Sequence, residues 1–245
     1  LSSSLLPLPV TIVFSFSLGR IVLNAEIGVQ LGKNSTKDLC IEYNIPTPSW
    51  HYIDCSNIKQ EELDFQFLLD EYTDSCVVKP ANDGSSIGMT IIKNNLSKKI
   101  LKKAISNSIK ISDKIIVEEY IKGRELTVGL LDNVALAIVE IFPKGQFYDY
   151  KSKYTKGQSD YFVPARLSSD LEKEIKDYAL DINKIIGCKH YSRVDFLLGE
   201  DNKVYLLEIN TLPGLTNTSL LPKAAKAAGL NYKELINKII NSAND

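Results

Sequence analysis

Residues 193–210 read RVDFLLGEDNKVYLLEIN. Two runs in which apolar and charged residues alternate flank Gly-Glu-Asp-Asn, a turn composition, so the stretch predicts an antiparallel hairpin. With Gly199–Asn202 as a four-residue connection, Arg193 falls opposite Glu208 and Asp195 opposite Leu206. Alternation then places Arg193, Asp195, Glu208 and Asn210 on one face and buries Val194, Phe196, Leu207 and Ile209 on the other. Two carboxylates and an amide oxygen thus converge. Hard oxygen donors of this kind suit Mg²⁺, which is normally held by one or two carboxylates together with water and substrate phosphates. A cross-strand Arg–Glu pair on a solvated face is the competing reading of the same residues. The loop that follows, NTLPGLTNTSL (210–220), adds Gly214 and the hydroxyls of Thr216, Thr218 and Ser219 as donors for a small carboxylate.

Upstream, VVKPANDGSSIG (77–88) has an apolar strand ending in Lys79, then Gly84, Ser85, Ser86 and Gly88, whose backbone amides are free to approach an anion closely. It matches neither GxxxxGK[ST] nor GxGxxG, and by itself it reads more simply as an ordinary hairpin turn. The segment VEEYIKGRE (117–125) ends a buried strand with acceptors and amides able to read an adenine edge, leaving Glu125 for ribose hydroxyls. A charged strand end entering a turn is its plainer reading. Residues 146–163, QFYDYKSKYTKGQSDYFV, hold four tyrosines and three lysines without a clear period, and a loop this long in a compact domain is usually functional, so a mobile lid is expected. Its Lys151, Lys153 and Lys156 can reach phosphates, although loop lysines are more often merely solvated.

Other elements follow from periodicity and punctuation. A helix is expected over Thr36–Tyr43, stopped before the extended Ile-Pro-Thr-Pro segment. Strands are expected at Ser75–Lys79, Met89–Lys93, Lys114–Ile121, Glu125–Leu131 and Ala135–Phe142, the last two joined by an Asp-Asn turn. Helices are expected at Ser97–Asn107, at Ser169–Ile186, where Leu171, Ile175, Ala179, Ile182 and Ile186 recur at helical spacing before Gly187, and at Tyr232–Asn241 behind Asn231 and Glu234.

The 245-residue chain is 44% hydrophobic and 24% charged, which favours an ordinary globular protein. With 29 basic and 30 acidic residues its net charge is −1, which removes the footprint of a general nucleic-acid binder. Cys40, Cys55, Cys76 and Cys188 lie far apart beside only two histidines, indicating neither a zinc cage nor a disulfide framework, and a reducing cytoplasm is the simplest home. Residues 1–25 are apolar but interrupted by Pro7, Pro9, Ser15, Ser17, Gly19 and Arg20. They are too short and broken for a membrane span and lack the basic start of a secretory signal, so one buried strand near Val10–Phe16 is expected.

In order along the chain, GKNSTKDLCIEYNIPTP, VVKPANDGSSIGM, VEEYIKGRELTVGLL, FYDYKSKY, SRVDFLL, LLEINTLPGLTNTSLLP and AAGLNYKELI resemble the ATP-grasp superfamily and, within it, the D-alanine–D-alanine ligases. The resemblance runs from Lys33 to the C-terminus. It implies an α+β ATP-grasp fold, two α/β lobes with mainly antiparallel sheets enclosing the nucleotide. The expected division is 1–32 as a remnant or replacement of an N-terminal domain, 33–124 as the central lobe and 125–245 as the catalytic lobe. It further implies ATP-dependent joining of two D-alanines through an acyl phosphate for peptidoglycan precursor synthesis, with Mg²⁺ or Mn²⁺, in a cytoplasmic homodimer. An ATP-grasp ligase for other amino acids and a truncated nucleotide-binding module are the alternatives.

By resemblance, Lys33 and Lys79 correspond to phosphate-binding lysines, and Ser85 and Ser86 belong to the phosphate cover. Glu118, Glu119, Tyr120 and Ile121 correspond to the adenine-contacting strand and Glu125 to the ribose contact. Lys153 and Tyr154 match lid residues, and the Lys-Tyr pair is of the D-alanine rather than the D-lactate type. Asp195, Glu208 and Asn210 match metal ligands, and Arg193 the stabiliser of the tetrahedral oxyanion. Gly214, Ser219 and Leu220 match the pocket for the second D-alanine's carboxylate. Ser85 joins Arg193, Lys153 and Tyr154 in the catalytic set. The family carries an N-terminal domain of about a hundred residues ahead of the position matching Lys33, a usual domain length, whereas 32 residues stand there in this sequence, Glu26 their only acid.

Overall fold

The computed structural model describes residues 33–56, 65–82, 86–143 and 159–243. Helix α1 (Lys33–Glu42) leads to β1 (Trp50–Asp54), α2 (Gln66–Tyr72), β2 (Cys76–Pro80), β3 (Thr90–Ile92), α3 (Lys98–Ile109) and β4 (Lys114–Glu119). Next come β5 (Gly123–Leu131), β6 (Val134–Ala135), β7 (Val139–Pro143), β8 (Ser159–Phe162), α4 (Ser169–Ile186), β9 (Tyr191–Gly199), β10 (Val204–Asn210), α5 (Leu220–Ala227) and α6 (Tyr232–Ser242). The fold is α+β, with two antiparallel sheets, one ordered β1-β4-β2-β3 and the other β10-β9-β5-β7-β8 with β6 beside β5.

Strand alternation decides what each sheet buries. In the four-stranded sheet, Cys76, Val78, Ile115 and Val117 face Leu68 and Tyr72 of α2 and Leu101 and Ile105 of α3. Val77 and Lys79 of β2 therefore turn the other way, with Glu118 directly opposite Val77. In the six-stranded sheet, Leu126, Val128, Val194, Phe196 and Leu206 pack on Ile175, Ala179 and Ile182 of α4, joined by Cys40 of α1. One end of its second face lies under α5 and α6, through Leu221, Ala224, Leu235 and Ile239. Gly129 makes that contact possible, because a Cβ there would stand 2.5 Å from Leu221 Cδ1.

The extended segment after α1 crosses from one sheet to the other. Leu206 N–H donates to Pro46 O at 2.8 Å, Thr47 Oγ1 donates to Leu206 O at 2.8 Å, and Glu119 N–H donates to Ser49 O at 2.9 Å. Residues 46–49 thus strap β10 to β4.

Helix ends follow local chemistry. Helix α4 starts at Ser168, whose side chain accepts from Leu171 N–H, and ends at Gly187, whose φ of 77° is readily adopted only without a side chain. Helix α6 carries a complete capping box between Asn231 and Glu234. Among the described residues no helix is long and apolar enough to cross a membrane.

Several expectations are corrected. The first helix starts at Lys33, not Thr36, with Lys33 N–H donating to Ala81 O at 3.1 Å beyond the end of β2. The strand expected over Ala135–Phe142 is broken into β6 and β7. Leu130 pairs with Ala135 but Thr127 with Val139, so one extra residue falls between, and Ile138 O accepts from Ala165 N–H instead of continuing the ladder. Residues 159–162, expected in the lid, form edge strand β8, where Phe162 meets Phe142 edge-on at 4.8 Å. The rest of the expected lid, residues 146–158, and the strand expected near Val10–Phe16 lie outside the described residues. Strands β1 and β8 and helices α2 and α5 carried too little periodicity to be expected. Replacing Asn231 by Ala removes one half of the α6 capping box and is expected to cost about 1 kcal/mol, a fall of roughly 2–4 °C in Tm for a chain of this size; an unchanged thermal melt would show the box to be without weight.

Candidate active site

Between the two sheets lies a cleft of about 350 Å³, lined by Val77, Lys79 and Glu118 on one wall and by Glu125, Asp195 and Glu208 on the other. Glu118 is 4% exposed, and its two oxygens meet two ammonium groups. Lys79 Nζ donates to Oε1, and Lys37 Nζ stands 2.9 Å from Oε2. Lys37 is fully buried behind the strand and also donates to Thr47 Oγ1 at 2.9 Å and Pro48 O at 3.2 Å, with the Trp50 ring 5.3 Å away. Burial alone would raise the Glu118 pKa, but the charges of Lys79 and Lys37 and their hydrogen bonds outweigh it and hold the carboxyl at about 2. Burial pulls the Lys37 ammonium below its ordinary value, with the Glu118 charge opposing.

The opposite wall is built by the β9–β10 hairpin, and here the register differs from expectation twice. The connection has three residues, Glu200–Asn202, closed by Asn202 at φ 61° and by Gly199 N–H donating to Lys203 O, so Leu206 pairs with Phe196. That register taken alone would turn Glu208 into the core. A β-bulge at Leu207 then adds one residue, and Glu208 pairs with Asp195 and Asn210 with Arg193. The pairings Arg193–Glu208 and Asp195–Leu206 are therefore corrected. The shared face of Arg193, Asp195, Glu208 and Asn210 survives because two one-residue shifts cancel in parity. Leu206, 1% exposed, takes the core place expected of Leu207, and Leu207 lines the cleft.

On this face Arg193 donates to Asp195 through Nε and Nη2, each at 2.8 Å. Thr127 Oγ1 donates to Asp195 Oδ1 at 2.6 Å and Asn210 Nδ2 to Oδ2 at 3.0 Å. Asp195 is thereby held in place by β5, β9 and β10 together. Two carboxylates paired across the strands, with an amide next along the same face, form a hard oxygen set that fits Mg²⁺ or Mn²⁺ when further ligands come from phosphate and water.

Lys33, Lys79, Ser86, Glu118, Glu119, Tyr120, Ile121 and Glu125 all line the cleft. The Glu118 side chain is engaged by two lysines rather than presented to a ligand. Lys93 lies 4.8 Å over the Tyr120 ring, and Arg124, also on the lining, holds Glu140 with two hydrogen bonds of 2.6 Å. Gly88, at φ 72°, leaves no room for a Cβ, which would meet Ile111 Cγ1 at 2.9 Å; its carbonyl accepts from Ser108 Oγ at 2.6 Å, so the end of the glycine loop is fixed. Gly84, Ser85, Lys151, Lys153, Tyr154 and Lys156 lie outside the described residues.

Gly214, Ser219 and Leu220 lie outside the cleft lining. Ser219 Oγ accepts from Thr216 N–H at 3.1 Å and folds the loop, while Leu220 is buried in the α5 core. Because Gly129 pairs with Arg193 and touches Leu221, that loop enters α5 on the arginine side of the face. Sequence reasoning missed Lys37, Thr127 and Lys93. Lys37 was detectable, since it precedes the buried Cys40 by three residues on the inward stripe of α1.

Two antiparallel-sheet lobes with a cleft between them, one wall carrying lysines and the other oxygen donors, form the ATP-grasp fold. The family model for the D-ala D-ala ligase C-terminus matches residues 39–241, and the chain belongs to that family. It is 39% identical over 173 residues to the D-alanine–D-alanine ligase of Geotalea uraniireducens, covering 71% of this chain and 55% of that protein. It is 47% identical over 164 residues to that of Methylacidiphilum infernorum, covering 67% and 53%. The chain thus spans about half the length of these relatives. The crystal structure of the Bacillus anthracis D-alanine–D-alanine ligase superposes with a TM-score of 0.75 at 33% identity, covering 89% of this chain and 68% of that one. The same enzyme complexed with ATP gives 0.71 at 29%, covering 89% and 67%.

The depressed Glu118 pKa predicts an acid response. Because the folded value of about 2 lies below the ordinary 4.5, the stability this group supplies is complete above pH 4.5 and is lost as pH falls toward 2. Glu118→Gln is expected to flatten that part of a chemical-denaturation profile; equal slopes for both proteins would show that the pair does not hold in solution.

Proposed function

We propose that this chain is the ATP-binding and catalytic portion of a cytoplasmic D-alanine–D-alanine ligase. It moves the γ-phosphoryl group of ATP to the carboxylate of one D-alanine and directs the amine of a second onto the acyl phosphate. The amide bond forms as phosphate leaves, and the attacking ammonium gives up its protons. The observation that carries this reading is the pairing of walls: Lys79, anchored by Glu118, faces a carboxylate pair, Asp195 and Glu208, across one cleft. The naming of the relatives and the ATP complex of the Bacillus anthracis enzyme support it.

Phosphoryl transfer asks little covalent chemistry of a protein and much placement of charge. Lys33 and Lys79 would neutralise phosphate oxygens, and the apolar wall formed by Val77, Ile121 and Leu207 would hold the base. Glu119, Tyr120 and Ile121, leaving the end of β4, would contact the adenine edge, and Glu125 the ribose. Asp195, Glu208 and Asn210 would hold Mg²⁺ or Mn²⁺, which when bound supplies positive charge against the phosphates. Arg193 would then serve the second step: it is set by Asp195 in a fixed fork and lies on the side where the 211–219 loop enters α5, so its guanidinium can meet the oxyanion formed as the amine attacks. Gly214 and Ser219 in that loop would hold the second carboxylate. An acyl phosphate hydrolyses readily, so closure over the cleft is a chemical requirement, and Ser85, Lys153 and Tyr154 are the residues proposed to provide it.

The test is D-alanine-dependent phosphate release from ATP with D-alanyl-D-alanine identified as product. Release only with other amino acids would reassign the substrates, and ATP protection without any release would leave a nucleotide-binding module. Glu208→Ala is expected to lower turnover at least roughly a hundredfold with an unchanged thermal melt; wild-type turnover in that variant would remove Glu208 from the metal set.

A further inference from the structure

We infer that Lys37 is the counter-charge that leaves Lys79 available to an anion: by engaging Glu118 from behind, it keeps one net positive charge on the trio Lys79, Glu118 and Lys37. This inference rests on the proposed nucleotide reading and concerns the polyphosphate end of that ligand.

The geometry assigns one role to each group. Glu118 is a single carboxylate between two ammonium groups, Lys79 on Oε1 and Lys37 on Oε2. Were Lys79 its only partner, the two buried charges would cancel and the pair would be neutral. A phosphate approaching Lys79 would then meet an ammonium already committed to a carboxylate. With Lys37 present the trio sums to one positive charge. Lys37 cannot itself serve the ligand, since it is fully buried, donates to Thr47 Oγ1 and Pro48 O, and stands in an ion pair with Glu118 Oε2. Lys79 and Glu118 line the cleft. The surplus charge is therefore expressed at Lys79, the member of the trio that both faces the cleft and carries donors. Low dielectric strengthens the effect, because a charge placed behind a buried carboxylate is screened far less than one on the surface. Lys37 is thus a positioning residue that acts through Glu118.

The discriminating experiment compares Lys37→Met, Lys37→Arg and the double variant Lys37→Met with Glu118→Gln. Mg·ADP and Mg·ATP dissociation constants are measured by calorimetry, and KM for ATP is separated from kcat in D-alanine-dependent phosphate release. Lys37→Met is expected to weaken nucleotide binding on the order of tenfold to a hundredfold, with the loss in KM rather than kcat. Lys37→Arg retains the charge and is expected to stay within about threefold of wild type. The double variant removes the acid along with its counter-charge, restores one net positive charge and is expected to recover most of the lost affinity. A purely packing role for Lys37 would leave the double variant no tighter than Lys37→Met, and that result, or wild-type affinity in Lys37→Met, overturns the inference. Absence of nucleotide binding by the wild-type chain would instead overturn the nucleotide reading on which it rests.

Discussion

A β-strand offers its side chains to two faces in alternation, and in this molecule one face of each sheet is committed to a core. Every group that reaches the cleft from a regular strand position must therefore sit at the parity the core leaves vacant. Lys79 and Glu118 meet that condition because Val78, Val117 and Ile115 are the residues buried under α2 and α3. Asp195 meets it because Val194 and Phe196 are buried under α4. Glu208 does not meet it by simple continuation of its strand. The bulge at Leu207 changes its parity, and the site is assembled only where that irregularity lies.

This explains how much of the molecule was legible in advance. Helix α4 was readable at both ends and α6 at its start, because Gly187 and the Asn231–Glu234 box are local chemical signals. Helix α5 was not, since Pro222 in its first turn and the hydroxyl-rich loop before it resemble irregular chain. The face shared by Asp195 and Glu208 was read correctly through a wrong register, because the shorter turn and the bulge each move the pairing by one residue. No local pattern reports a bulge inside an apolar pair such as Leu206-Leu207. Glu118 was legible as a residue at the cleft but not as a buried ion, since its second partner comes from α1, 81 residues earlier in the chain.

Electrostatically the two walls are complementary in kind. One sets two lysines about Glu118; the other sets Arg193 against Asp195, with Glu208 paired to Asp195 across the strands. Each wall contains a fixed opposite charge that orders its members: Glu118 orients Lys79, and Arg193 with Thr127 and Asn210 orients Asp195. Placing such groups before a ligand arrives costs desolvation during folding, and it spares reorganisation when charge moves during reaction.

The strap of residues 46–49 has a mechanical consequence. It is bonded to β10 through Pro46 and Thr47 and to β4 through Ser49, so one margin of the two sheets is tethered by a span of four residues. The sheets cannot draw apart along that margin without breaking backbone hydrogen bonds. Any relative motion that spares those bonds is confined to a turn about residues 46–49, with the strap as its pivot.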